Sequence, residues 1–215
     1  MKVIRSDVDA ELTEKKSKFI AHLYYVESEK QAKQIISDCK KKYHDARHNC
    51  YAYRIMQDDN LIENFSDDGE PSGTAGMPML TFLNGNDLVN VLIIVTRYFG
   101  GILLGTGGLV RAYSGALELA FDKAELVEVI EGIGAGIEFA YSEISKFEYY
   151  CKKNNILICN KEFSENIKVL FECKQEEFDK LKKNRKDLNF TYILLYKIEN
   201  KLIHKIWKEF LYVNS

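Results

Sequence analysis

The run VNVLIIVTRYF (89–99) stays apolar until its end, without the alternation of a half-exposed strand. It predicts a central strand covered on both faces. FIAHLYYV (19–26) reads as a second strand. NCYAYRIM (49–56) and LIENFS (61–66) flank the turn QDDN and predict a hairpin. Between these strands Ala32, Ile35, Ile36, Cys39 and Tyr43 recur at helical spacing, with Ser28 and Gln31 at capping-box distance. The small residues of PSGTAG lead into MPMLTFLNG, a short helix with Pro78 tolerated in its first turn. Val110, Tyr113, Leu117 and Phe121 mark one face of a further helix, with Thr106 as its expected N-cap.

The pattern changes near residues 125–135, where ELVEVIEGIGAG breaks the helical period. Beyond it, IGAGIEFAY reads as strand and SEISKFEYYCKKN as helix. ILICNKEF and IKVLFEC read as two strands around SEN, QEEFDKLKKN as helix, and FTYILLYKI as strand. That order, β-α-β-β-α-β, is ferredoxin-like. In KLIHKIWKEFLYVNS, Ile203, Ile206, Trp207 and Phe210 share one helical face. The expectation is an α+β protein of two-layer α/β construction. Its parts are an N-terminal domain (1–130), a ferredoxin-like C-terminal domain (131–200) and an amphipathic tail (201–215).

Composition narrows the classes of function. The chain has 215 residues, 46% of them hydrophobic, which is ample for two modest cores. The net charge of -2 excludes a strongly basic nucleic-acid protein. Residues 1–130 carry 15 Lys and Arg against 19 Asp and Glu, while 131–215 carry 15 against 13. Nucleic-acid affinity therefore has to come from patches. The five cysteines include no CxxC pair, which argues against a disulfide framework or structural zinc. The start, MKVIRSDVDAELTEKKSK, is too charged for a signal peptide, and no apolar run is long enough to span a membrane. A reducing cytoplasm is the expected compartment, and neither a cofactor nor a bound metal is expected.

Three stretches carry candidate chemistry. RYFGGILLGTGGLVRAY (97–113) sets Gly100 and Gly101 after the buried strand and Gly105, Gly107 and Gly108 before a helix, with Arg97 and Arg111 at either side. Unpaired N–H groups and a partial positive charge at a helix start suit an anion. The spacing fits neither GxGxxG nor GxxxxGK[ST], so tight packing is the competing explanation. In DDGEPSGTAG (67–76), Asp67, Asp68 and Glu70 are suited either to magnesium or base chemistry, or to turn formation and helix-start charge. YHDARHNCYAYR (43–54) concentrates His44, Arg47, His48, Cys50 and Arg54. A Cys50–His48 nucleophile is weighed there against a buried cysteine, and the buried cysteine is favoured. Basic runs at 40–48 and 180–186, the second including Lys180, Lys182, Lys183 and Arg185, are candidate RNA contacts or solvated helix ends.

ARHNCYAYRI, DDGEPSGTAGMPML and VTRYFGGILLGTGGLVRAYSGAL, in this order and at these distances, closely resemble the Impact/YigZ family. The resemblance covers residues ~15–125 strongly and ~132–198 in element order. It implies an N-terminal domain like the second domain of a small-subunit ribosomal protein, a fold also seen in GHMP kinases. It implies a C-terminal domain similar to the last domain of elongation factor G. Arg47, His48, Arg54, Asp68, Glu70, Arg97, Gly100, Gly101, Gly107, Gly108 and Arg111 fall on the family's motif positions. The family includes a eukaryotic regulator of translation, so the resemblance implies a cytoplasmic regulator contacting RNA or the ribosome, without intrinsic catalysis. A magnesium-dependent enzyme acting on a phosphorylated substrate is the alternative. A protein-binding adaptor working through the tail is a third.

Overall fold

A computed structural model describes residues 1–57, 60–183, 188–192 and 194–204, with backbone alone for Tyr196 and 198–204. The chain divides into two compact units, Met1–Val127 and Glu128–Ser215.

The first unit contains β1 (Lys2–Ile4), β2 (Val8–Glu14), β3 (Ser17–Tyr25), α1 (Glu29–Lys42), β4 (His48–Gln57), β5 (Asn60–Ser66), α2 (Gly76–Gly85), β6 (Val91–Tyr98) and α3 (Gly105–Phe121). Five strands form a sheet in the order β2-β3-β6-β4-β5, every neighbouring pair antiparallel. The expected β4–β5 hairpin is present, with Gln57 opposite Asn60. Strand β6 is central and buried on both faces because helices cover both. On one side α2 and α3 pack Met79, Leu83, Leu109, Ala116 and Leu117 against Phe19, Leu23, Ile93 and Val95. On the other, α1 lays Ala32 and Cys39 over Tyr53, Ile55, Leu92 and Ile94. The polar outer face of α1 explains why its sequence was periodic and that of β6 was not.

Local signals act as read at the start of α1. Ser28 Oγ accepts the Gln31 N–H at 3.2 Å, and Gln31 Oε1 reaches back to the Glu27 N–H at 2.9 Å. At α3 the expectation is corrected. The helix opens at Gly105 with Leu104 as N-cap and no side-chain cap, so Thr106 lies inside the first turn. The helix thus begins two residues before the expected point, at Gly105, whose φ of +70 is a left-handed value that glycine adopts without strain.

The second unit contains β7 (Leu126–Phe139, its first residues in the preceding unit), α4 (Ile144–Asn154), β8 (Leu157–Phe163), β9 (Ile167–Cys173), α5 (Gln175–Lys183) and β10 (Leu194–His204). The sheet runs β10-β7-β9-β8, all antiparallel, as the split β-α-β order requires. Phe147, Cys151, Phe178 and Leu181 of the two helices join Ile137, Val169 and Phe171 in one core. The stretch that breaks the helical period is continuous strand: β7 runs through Gly132, Gly134 and Gly136. Pairing to β10 and β9 on its two edges outweighs the poor strand propensity of glycine. Residues 201–204 likewise do not open a helix. They extend β10 along the edge of β7, with Ile203 opposite Ile130, where their backbone groups find partners. Ile206, Trp207 and Phe210 lie outside the described residues.

Candidate anion-binding cleft

The site lies at the end of the first sheet where β6 leaves it. Antiparallel register sets Arg97 beside Phe19 of β3 and opposite His48 of β4. The turn after β5 folds back over this trio. Glu70 N–H bonds Asp67 O at 2.9 Å across Asp68 and Gly69, both in the left-handed region with φ of +44 and +87. Glycine and aspartate are suited to those dihedrals. The turn drops Glu70 into the sheet end. Arg97 Nη1 donates to Glu70 Oε1 at 2.6 Å, and the two side chains are 6% and 3% exposed. Tyr113 of α3, fully buried, donates its hydroxyl to the same oxygen at 2.9 Å. His48 Nε2 stands 3.8 Å from that oxygen, while its Nδ1 donates to Asp68 O at 2.8 Å. Arg97 Nε is buried without a hydrogen-bond partner among the described residues, and the guanidinium sits over the rings of Phe19 and Phe99 at 5.4 and 5.6 Å.

The neighbouring acids are occupied by donors of the fold itself. Asp67 accepts the N–H groups of Gly73, Ala75 and Gly76 at 2.8 to 2.9 Å, tying the turn to the start of α2. Burial pushes its carboxyl up, but these three backbone bonds outweigh that and hold it below the ordinary carboxylate range. Asp68 accepts Lys40 Nζ at 2.6 Å and the Asn49 N–H at 2.7 Å. With Glu70 bound by Arg97 and Tyr113, each of the three acids already satisfies protein donors. Among the described residues no group of three His, Cys, Asp or Glu is arranged to hold a metal ion. Cys50 is a core residue. Its thiol donates to Asp67 O at 3.0 Å and lies 3.3 Å from the Tyr113 hydroxyl, and burial pushes it up to about 12. A thiolate at neutral pH is therefore disfavoured, and a Cys50–His48 nucleophile with it.

The cleft beside this network has a volume of about 340 Å³. Arg47, His48, Glu70, Arg97, Phe99 and the start of α3 at Gly105 and Thr106 line it, together with Leu103 and Leu104. Arg47 is exposed and lies 5.9 Å over the Phe99 ring. The first turn of α3 has no acidic residue, so its positive end is uncompensated.

The expected site residues separate. Arg47, His48 and Arg97 converge here with Glu70. Gly100, Gly101, Gly107 and Gly108 do not line the cleft. Gly100 packs so closely on the β2–β3 turn that a Cβ would stand 2.0 Å from the Lys16 carbonyl carbon. Gly101 supplies a φ of +86. A Cβ on Gly108 would crowd Leu104 at 3.1 Å, and one on Gly107 would lie 3.7 Å from Arg111 Nη1. Arg111 is exposed outside the lining. Arg54 lies six residues along β4, bonded to Glu63 at 2.9 Å and to Leu88 O at 3.0 Å. In the second unit Lys180, Lys182 and Lys183 occupy the last turn of α5, where Lys180 pairs with Glu177. Arg185 lies outside the described residues. Sequence reasoning missed Tyr113 as a polar partner, because it sat on the apolar stripe of α3. It also missed Phe99, Leu103 and Thr106 as lining.

Comparisons with known proteins follow the same division of the chain. A family model for the Impact N-terminal domain matches residues 15–121, and one described as Domain of unknown function (DUF1949) matches 137–184. An IMPACT family member of Haemophilus influenzae is 38% identical over 157 residues, covering 73% of this chain and 76% of its own. IMPACT family member YvyE of Bacillus subtilis is 40% identical over 167 residues, 78% of this chain and 76% of its own. A solved structure titled "Crystal structure of an hypothetical protein" is similar at a TM-score of 0.63 and 30% identity, over 92% of this chain and 97% of that one.

Proposed function

Because the chain belongs to the Impact family, we propose that it regulates translation in the cytoplasm by contacting RNA or the ribosome, without turnover of its own. The family resemblance supplies the process. The observation that supports the mode of contact is the charge of the cleft. Arg47 has no acid partner among the described residues, and it stands beside the uncapped start of α3. Phosphate oxygens are bound by such arginines and by helix N-termini. The exposed Lys182 and Lys183 at the end of α5 offer further phosphate contacts. The net charge of -2 keeps affinity local to these patches.

The magnesium-enzyme alternative loses support because Asp67, Asp68 and Glu70 each already accept at least two donors of the fold, and no group of three acids, His or Cys is arranged for a metal among the described residues. Co-sedimentation with ribosomes at low and physiological salt tests the reading. Wild type is expected to co-sediment at low salt. Replacing Lys182 and Lys183 by Ala should flatten the salt dependence by about 0.7 per lost single-stranded contact. A wild-type chain that never co-sediments and binds no RNA at low salt refutes the proposal.

A further inference from the structure

We propose that the cleft receives the terminal phosphate of an RNA strand, with the end nucleotide's base against the apolar rim. The inference rests on the RNA-contact reading above and narrows it from backbone contact to strand-end recognition.

Depth is the first argument. Two of the residues lining the cleft, the arginine Arg97 and the imidazole His48, have side chains only 6% and 11% exposed. An internal phosphodiester carries chain on both sides and passes over the mouth of such a cleft. A terminal phosphate hangs on one ester bond and can enter it. Charge is the second. Arg97 is partly offset by Glu70, but Arg47 and the start of α3 are not offset. Their sum suits a monoester, which carries about -1.5 to -2 at neutral pH, better than a diester with a single charge. Arg97, a lining residue with a side chain 6% exposed, has an Nε without a hydrogen-bond partner among the described residues, an observation independent of the helix end.

The rim gives the third argument. Phe99 is 40% and Leu103 84% exposed, in a loop immediately after the cationic strand end. An aromatic face and an aliphatic side chain beside a phosphate site fit a base, because every base has an apolar π-face to stack. A volume of about 340 Å³ has room for one nucleotide and lies at the small end of ligand pockets.

The test is calorimetric titration of the full chain with one short single-stranded RNA sequence in three forms: 5′-phosphorylated, 3′-phosphorylated, and hydroxyl at both ends. At least one phosphorylated form should bind about tenfold tighter than the hydroxyl form, the worth of one added charge-assisted bond. A matching nucleoside monophosphate should compete with it. Arg47→Ala and Leu103→Glu, both at exposed positions, should each erase the preference while leaving the melting temperature unchanged. Equal binding of all three forms, or a preference that survives both substitutions, overturns strand-end recognition and leaves general RNA contact intact. Failure of all three forms to bind overturns strand-end recognition, and the translation reading falls with it only if the chain also never co-sediments with ribosomes.

Discussion

Replacing Glu70 by Ala removes the acid that pairs with Arg97. The guanidinium would keep its contacts with Phe19 and Phe99, at 5.4 and 5.6 Å, and a long 3.5 Å bond to Ser17 Oγ. It would lose the 2.6 Å charge-assisted bond while remaining 6% exposed. Tyr113 would lose the acceptor of its hydroxyl in a fully buried position. Breaking a buried ion pair from one side costs about 3–5 kcal/mol, because the remaining charge is uncompensated. That is a large share of the roughly 5–15 kcal/mol that holds a domain folded. For a unit of the size of Met1–Val127 it corresponds to a fall of roughly 10–20 °C in melting temperature. Removing both charges behaves differently. Glu70→Leu with Arg97→Met leaves no orphaned ion, so the double variant should be less destabilised than either single variant. Scanning calorimetry and urea melts of wild type, both singles and the double complete the cycle. A single-variant loss below about 1 kcal/mol, the range of surface substitutions, would refute the reasoning. So would losses that simply add in the double.

Other outcomes follow from the same structure. Asp67→Asn should weaken the tie to α2 by about 0.5–2 kcal/mol. Because the folded carboxyl titrates below its unfolded value of about 3.9, its contribution is complete above that pH and fades as pH falls towards the folded value. Acid melts of wild type should therefore be steeper there than those of the asparagine variant. With a thiol reagent at mildly alkaline pH, the exposed Cys159 should react quickly, and the buried Cys39, Cys50, Cys151 and Cys173 only on unfolding. Rapid modification of Cys50, mapped by mass spectrometry, would contradict its place in the core. Gly100→Ala should cost about 1–3 kcal/mol, since its Cβ cannot coexist with the Lys16 carbonyl, and a calorimetric scan matching wild type would count against that. A fragment of residues 1–127, which holds both cores flanking the first sheet, is expected to melt cooperatively on its own.

Much of the secondary structure was legible because its causes are local. The uninterrupted apolar run of β6, the spacing and Ser28–Gln31 cap of α1, and the β-α-β-β-α-β order each depend on side chains within a few residues of one another. The family was legible because its motifs are contiguous. The reach of β7 back to Leu126 was missed, and residues 201–204 misread, for the opposite reason. Glycines and a helical apolar spacing are weak local preferences, and strand pairing at long range overrode them. The cleft belongs to this second kind. The sequence marked Arg47, His48, Glu70 and Arg97 as chemistry but could not set Arg97 and Glu70 in contact across 27 positions. Nor could it show that Asp67 is taken up by the turn into α2 and Asp68 by Lys40 and the Asn49 N–H, or that Tyr113 turns its hydroxyl into the network. Those facts follow from which strand pairs with which, and in what register. Register is decided by burying one whole face of a sheet at once, so it is a property of the assembled core rather than of any segment.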